Sequence, residues 1–207
     1  MTIDMNGKTL VLSGGSKGIG KAIIYKFAEA GADIAFTYNS SEEVSQQMIA
    51  ELTEKYSVKV KAYKLDILEP NNYKDLFKTI DEDFDRVDYF ISNAIISGRP
   101  VVGGFSPFMR LKPKGMTNVY TATVLAFIVG AQEAAKRMEK VGGGAIVSLS
   151  STGNIVHTEN YTGHGSSKAA VETVVKYAAL ELAPMNIRVN ALSGGPIETD
   201  ALRAFPN

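Results

Sequence analysis

The residues with the most chemical potential are the serines of Ser148-Leu149-Ser150-Ser151, a tyrosine, Tyr161, and a lysine, Lys168. Tyr161 and Lys168 stand seven positions apart. On a helix of 3.6 residues per turn, seven steps return to the same face about 10 Å further along. A tyrosine hydroxyl ordinarily titrates at about 10, and a neighbouring ammonium favours its phenolate. Such a pair can donate a hydrogen bond to an oxygen on which negative charge develops. Taken singly, a tyrosine at a helix start and a lysine on a helix face are commonplace.

A second constellation is Ser13-Gly14-Gly15-Ser16-Lys17-Gly18-Ile19-Gly20. It follows a short apolar run and opens a helix-period segment, the setting in which such a motif binds a dinucleotide. Glycines let the chain turn sharply and approach a pyrophosphate, and the helix start offers unpaired N–H groups. A glycine-rich structural turn is the alternative. NAD-selective sites place an acid after the second strand to hold the ribose 2′-hydroxyl. Here that region is Thr37-Tyr38-Asn39-Ser40-Ser41, without an acid. An amide and hydroxyls suit a 2′-phosphate, and Lys17 can add charge or be a solvated lysine. NADPH is the expected cofactor. NADH is less favoured, although Glu42 or Glu43 could fold back toward the ribose. Asp66, in Leu65-Asp66-Ile67, reads equally as an acceptor for an adenine amino group or as a turn aspartate. Asn93-Ala94 ends a strand beside the crevice where open α/β sheets bind ligands.

The elements that must position these groups alternate along the whole chain. Short apolar strands are predicted at 9–12, 33–38, 58–65, 87–92, 145–149 and 187–192. Helical patterns run from the glycine turn to about Ala30, from a Ser40 or Ser41 cap with Glu42 and Glu43 in its first turn, over 70–83, over 117–139 and over 161–182. The stretch 93–114 is long, irregular and rich in glycine and proline, as functional or mobile connections are. Alternation of this kind predicts an α/β fold: a Rossmann-like doubly wound parallel sheet with helices on both faces.

With 207 residues, at about 150 per domain, one domain over 1–207 is favoured. Apolar residues make up 45% and charged residues 21%, as in ordinary globular chains. The 22 basic and 22 acidic residues cancel, which removes any global electrostatic case for nucleic acid or an anionic membrane. Cysteine is absent, so disulfides and thiol nucleophiles are excluded. With only His157 and His164, no metal site is expected. The start lacks a signal-peptide pattern, and 121–131, the longest apolar stretch, is too short to span a bilayer. A cytoplasmic location is the default.

These pieces together resemble the short-chain dehydrogenase/reductase family over essentially the whole chain. They are Ser13-Gly14-xxx-Gly18-x-Gly20, Leu65-Asp66-Ile67, Asn93-Ala94, the strand ending in Ser150-Ser151, Lys168 and Arg188-Val189-Asn190-Ala191. Most of that family has Tyr-xxx-Lys, whereas four before Lys168 stands His164. The Tyr-x6-Lys spacing, with Ser193-Gly194-Gly195-Pro196-Ile197-Glu198-Thr199, resembles the enoyl-acyl-carrier-protein reductases. The ordinary glycine motif points within them to the NADPH-dependent enoyl-acyl-carrier-protein reductase III branch.

This resemblance implies reduction of the trans-2 double bond of enoyl thioesters in fatty-acid synthesis. Tyr161 would contact the thioester oxygen, Lys168 the nicotinamide ribose, and Ile197 and Thr199 the carboxamide. Gly14, Ser16, Lys17, Gly18, Ile19, Gly20, Asn39, Ser40, Ser41, Asp66, Ile67, Asn93, Ala94, Gly195 and Pro196 would complete the cofactor site. Ser151 would be a further catalytic residue, and Ile95 would line the substrate. His164 reads either as a relay or substrate contact, or as a residue without a chemical role.

The implied partners are an acyl carrier protein or CoA thioester and further copies of the chain, in a homotetramer or homodimer. Carbonyl reduction of a 3-oxoacyl thioester and a non-catalytic NADPH sensor are the alternative functions. Relatives continue past the Pro-Ile-x-Thr segment with a substrate cover, another helix and a last strand, so a chain ending at Asn207 is expected to be C-terminally truncated.

Overall fold

The five residues of β1, Thr9–Ser13, are all buried, as a strand covered on both faces must be. In this computed structural model, which describes residues 3–96 and 105–203, β1 lies inside a six-stranded sheet. Its other strands are β2 (Asp33–Tyr38), β3 (Val60–Lys64), β4 (Tyr89–Ser92), β5 (Gly144–Ser151) and β6 (Ile187–Gly194). The order is β3-β2-β1-β4-β5-β6, and every pairing is parallel. The chain therefore winds outward from β1 in one direction, then returns and winds outward in the other. The switch lies between β1 and β4, where Ser13 registers with Ser92. A crevice at the carboxyl ends of the strands opens at such a point.

Helices cover both faces, and each face has its own core. Leu10, Leu12, Ile34 and Phe36 pack with Ile24 and Ala28 of α1 (Gly18–Glu29) and Met48 and Leu52 of α2 (Glu42–Tyr56). Val11, Ala35, Phe90 and Ile146 face the other way. They meet α3 (Asn72–Asp83), α5 (Ala126–Lys140) and α6 (Thr162–Glu181). Alternate strand residues thus feed opposite cores, as the two-residue side-chain period requires. Phe90 is fully buried, with Tyr73 and Phe77 edge-on at 6.2 and 6.1 Å. Gly130 allows α5 to approach that ring: a Cβ there would lie 2.6 Å from Phe90 Cζ.

The expected architecture holds, with local differences. The single helix over 117–139 is instead α4 (Pro113–Tyr120), a π-helical turn at Thr121–Leu125, and α5. Pro113 starts α4 because a first-turn residue needs no N–H donor. The π turn falls on Thr121, Thr123 and Val124, β-branched residues that lower helical preference, and it inserts a residue that a 3.6-period pattern does not register. β5 runs two residues past 149, to Ser151, and β3 is shorter than its apolar pattern. Part of the 93–114 connection, residues 97–104, lies outside the described residues. Among the described residues, no helix is long and apolar enough to cross a membrane. No group of three potential metal ligands occurs among them either.

Because Phe90 joins β4 to α3 and α5, Phe90→Ala should destabilise the fold by about 3–5 kcal/mol. Urea denaturation monitored by circular dichroism measures this, and a loss under about 1 kcal/mol would show that the site collapses around the gap.

Candidate active site

The glycine turn is tied to the sheet by one asparagine. Asn93 Nδ2 donates to Ser13 O at 3.1 Å and to Gly14 O at 2.8 Å. The backbone N–H groups of Asn93 and Ala94 both donate to Ser13 Oγ at 3.1 Å. From β2, Thr37 Oγ1 accepts from the Gly14 N–H at 3.1 Å, and Thr37 O from the Gly15 N–H at 2.8 Å. Three strand ends thus fix one turn. Gly14 needs its φ of +75°, which side chains other than glycine rarely adopt. A Cβ on Gly20 would lie 2.1 Å from Gly14 O and 2.7 Å from Asn93 Nδ2.

Helix α1 begins directly after this turn, at Gly18, and Lys17 makes no side-chain cap. The first N–H groups of such a helix point outward with the positive end of its dipole, an arrangement that suits a pyrophosphate. Thr199, beyond β6, lies over the same turn: a Cβ on Gly18 would sit 3.4 Å from Thr199 Cγ2. The turn, the bare helix start and the strand ends fit a dinucleotide.

Tyr161 precedes helix α6 rather than lying within it, with φ −101° and ψ 5°. The same-face relation to Lys168 thus starts one residue outside the helix. Its ring is held on two sides. A Cβ on Gly153 would lie 2.6 Å from Tyr161 Cδ1 and Cε1, so only glycine lets the 152–154 turn close on the ring. On another side His164 stacks at 5.6 Å between centroids. Phe105 stacks in turn on His164 at 4.1 Å and leans on Tyr161 at 5.8 Å. The Ser106 N–H donates to Asn160 O at 3.1 Å, which fastens the end of the long connection to the tyrosine segment.

Lys168 is buried, and Nζ donates to Leu149 O at 2.5 Å. Burial pushes its ammonium down to about 8, against the pull of the Glu172 carboxylate. Glu172 accepts from Ser150 Oγ at 2.5 Å. His164, only 3% exposed, is pushed down to about 4 by burial and by the Lys168 charge. It is therefore neutral near pH 7. Ser151 Oγ accepts from the Gly153 N–H at 3.2 Å, and its own O–H stays available as a donor.

Tyr161 and Ser151 both border Gly153, Lys168 is held on Leu149 O with its charge acting on His164, and Gly14, Gly20, Asn93 and Ala94 meet separately, with Gly18 under Thr199. Ser16 is buried beside them, Ile19 is half-buried and Lys17 is exposed. Asn39 and Ser40 are exposed at the end of β2, and Ser41 precedes α2. The expected serine side-chain cap of α2 does not form: Ser41 makes no cap bond, and its carbonyl instead accepts from Ser45 Oγ at 2.7 Å. Asp66 Oδ1 accepts from the Leu68 N–H at 2.9 Å, the bond of a turn aspartate, and Ile67 beside it is half-buried. Ile95 is 41% exposed. Gly195, Pro196 and Ile197 are exposed beyond β6. Thr199 Oγ1 accepts from the Leu202 N–H at 3.3 Å. Sequence reading named Ser13 and Thr37 only as members of the glycine motif and of the stretch after the second strand, without their bonding roles, and missed Gly153 and Phe105. Only the place of Ser13 in the glycine motif was a signal. The others act across long separations in the chain.

A family model described as enoyl-(acyl carrier protein) reductase matches residues 14–207. The 1-cyclohexenylcarbonyl-CoA reductase of Streptomyces collinus is 33% identical over 197 residues, covering 95% of this chain and 67% of that protein. The chain belongs to the short-chain dehydrogenase/reductase family. A 3alpha-hydroxysteroid dehydrogenase of Mediterraneibacter gnavus is 31% identical, over 100% of this chain and 80% of that protein. The 3-oxoacyl-acyl-carrier-protein reductase of Aquifex aeolicus is 29% identical, over 97% and 78%. The structure of L-sorbose reductase from Gluconobacter frateurii, complexed with NADPH and L-sorbose, matches with a TM-score of 0.87 at 26% identity. That match covers 97% of this chain and 73% of the other. As a member of this family the chain is an oxidoreductase with a nicotinamide cofactor.

The state of His164 gives a test that needs no substrate. Its folded pKa of about 4 lies below its ordinary 6.5. As pH falls through that interval, the unfolded chain binds a proton that the fold refuses. The stability present above 6.5 is therefore lost toward 4, by up to about 3 kcal/mol. His164→Phe retains a ring for Phe105 and Tyr161 but cannot titrate. Urea midpoints for both proteins at pH 7 and 4.5 should show the steeper acid loss in the wild type. Equal losses would mean that His164 charges within the fold.

Proposed function

We propose that this protein reduces the trans-2 double bond of enoyl thioesters, carried by acyl carrier protein or CoA, with NADPH. The observation that carries the reading is the cradle around Tyr161. Two rings precede Lys168: the Tyr161 phenol, seated against Gly153, and the buried His164, held neutral and stacked against it. The family model's description and the cyclohexenylcarbonyl-CoA relative, whose named substrate is itself a 2-enoyl thioester, support it.

NADPH, when bound, supplies the hydride. Gly14, Ser16, Gly18, Ile19 and Gly20 would hold its pyrophosphate, with Asn93 and Ala94 backing the turn. Lys17, Asn39, Ser40 and Ser41 would meet the 2′-phosphate, Asp66 and Ile67 the adenine, and Gly195, Pro196, Ile197 and Thr199 the carboxamide. Tyr161 donates to the thioester oxygen and steadies the enolate that forms when the β-carbon is reduced. Lys168 places positive charge beneath it and reaches the ribose hydroxyls. Ser151 offers a second donor to the same oxygen. Ile95 borders the acyl chain. The enolate then takes one proton from water at the α-carbon, which with the hydride completes the reduction, while Tyr161 keeps its hydrogen bond to the oxygen.

A second reading, carbonyl reduction of a 3-oxoacyl thioester, is favoured by the 3-oxoacyl reductase relative. Incubation with NADPH and either crotonyl-CoA or acetoacetyl-CoA separates the two. Oxidation of NADPH with crotonyl-CoA is expected, and oxidation with acetoacetyl-CoA alone would replace the first reading with the second. Tyr161→Phe should lower kcat at least a hundredfold, as loss of a donor to a developing oxyanion does, with NADPH still bound. A wild type that binds NADPH but turns over neither thioester would instead be a sensor.

Cofactor choice is tested at β2. Asn39→Asp should shift the NADPH/NADH ratio of kcat/KM toward NADH by at least tenfold, about 1.4 kcal/mol. An unchanged ratio would remove Asn39 from the 2′-phosphate site.

A further inference from the structure

Between Asp88 and Glu133 the sequence has no acidic residue, although the chain as a whole is electrically balanced. One exposed part of that stretch, from the turn at Phe108–Arg110 into α4, presents Arg110, Lys112 and Lys114. None of the three forms an ion pair among the described residues, and no acidic residue stands near them in the sequence. Beside them stand Phe108, 73% exposed, and Met109, 89% exposed. Large apolar side chains rimmed by unpaired charge of one sign mark a protein-binding surface, and methionine adapts to varied partners.

The position of this surface matters as much as its composition. Phe105 and Ser106, two and three residues before Phe108, are seated on His164, Tyr161 and Asn160. Whatever docks on Phe108–Lys114 therefore sits at the rim of the tyrosine site.

Resting on the enoyl-thioester reading, we propose that Phe108, Met109, Arg110, Lys112 and Lys114 form the docking surface for an acidic acyl carrier protein. Opposite charge speeds and orients encounter, while the two apolar side chains hold the docked partner. The surface then delivers the thioester beside Tyr161.

The test compares wild type with the charge-reversed triple variant Arg110→Glu, Lys112→Glu, Lys114→Glu, and with Met109→Ser, on three crotonyl thioesters. These are crotonyl-acyl carrier protein, crotonyl-CoA and crotonyl-N-acetylcysteamine. The triple variant should lose at least tenfold in kcat/KM with the carrier-bound substrate. It should stay within twofold of wild type with the cysteamine thioester, which carries neither protein nor phosphate. Met109→Ser should lose several-fold with the carrier alone. Raising salt from 50 to 500 mM should slow the carrier-bound reaction more than that of the cysteamine thioester. Equal loss on all three thioesters, or no loss with the carrier, overturns the proposal. Loss confined to crotonyl-CoA overturns it too and makes the surface a nucleotide-phosphate site. If wild type reduces none of the three, the enoyl reading fails. Fluorescence anisotropy of labelled acyl carrier protein then decides the surface: binding abolished by the triple variant upholds it, and no binding to wild type rejects it.

Discussion

The side-chain amide of Asn93 is the constraint on which the rest of the site depends. It sits at the point where the winding order of the sheet reverses, and it donates to both Ser13 O and Gly14 O. Those carbonyls lie where β1 runs into the turn, and the amide supplies each of them a donor. The same knot sets the height of Gly14 O against Gly20 and hence where α1 begins. It also sets where β4 stops and the long connection departs. Among the described residues, that connection meets the site again at Phe105, stacked on His164. One amide thus joins the turn that suits a dinucleotide to the chain that carries the aromatic side of the tyrosine cradle.

What was legible in the sequence follows from which forces are local. The buried strands declare themselves as apolar runs because a parallel sheet is covered on both faces, and crossover handedness puts helices on both faces of a doubly wound sheet. The glycine motif was legible because positive φ and close approach exclude other residues. Non-local contacts were not legible. Thr37 reads as one more β-branched strand residue until its hydroxyl is found on the Gly14 N–H. Gly153 looks like loop punctuation until the ring of Tyr161 is found against it. The π turn at Thr121–Leu125 escaped because it keeps a helical composition while adding a residue to one turn. Ser41 shows the converse failure: a strong local capping signal did not form its bond.

The electrostatics of the site explain why its second ring is a histidine held neutral. Lys168 is buried with its ammonium weakened to about 8. A second buried cation one turn away would repel it and lower that value further. Stacking between Phe105 and Tyr161 offers His164 surroundings that favour the uncharged imidazole, so the lysine keeps its charge near neutral pH. The compensating carboxylate lies on the other side, on Glu172, one turn along α6 and bonded to Ser150. Leu149 O and Ser150 Oγ, adjacent on β5, therefore hold the lysine and its counter-charge together. Lengthening β5 to Ser151 is what puts both within reach of α6. The strand end that presents Ser151 as a donor is the same one that anchors Lys168. A shift of β5 against α6 would consequently pull the hydroxyls of the strand end away from the ammonium and carboxylate on the helix, so the bonds from Leu149 and Ser150 to α6 are what keep the three groups at one spacing.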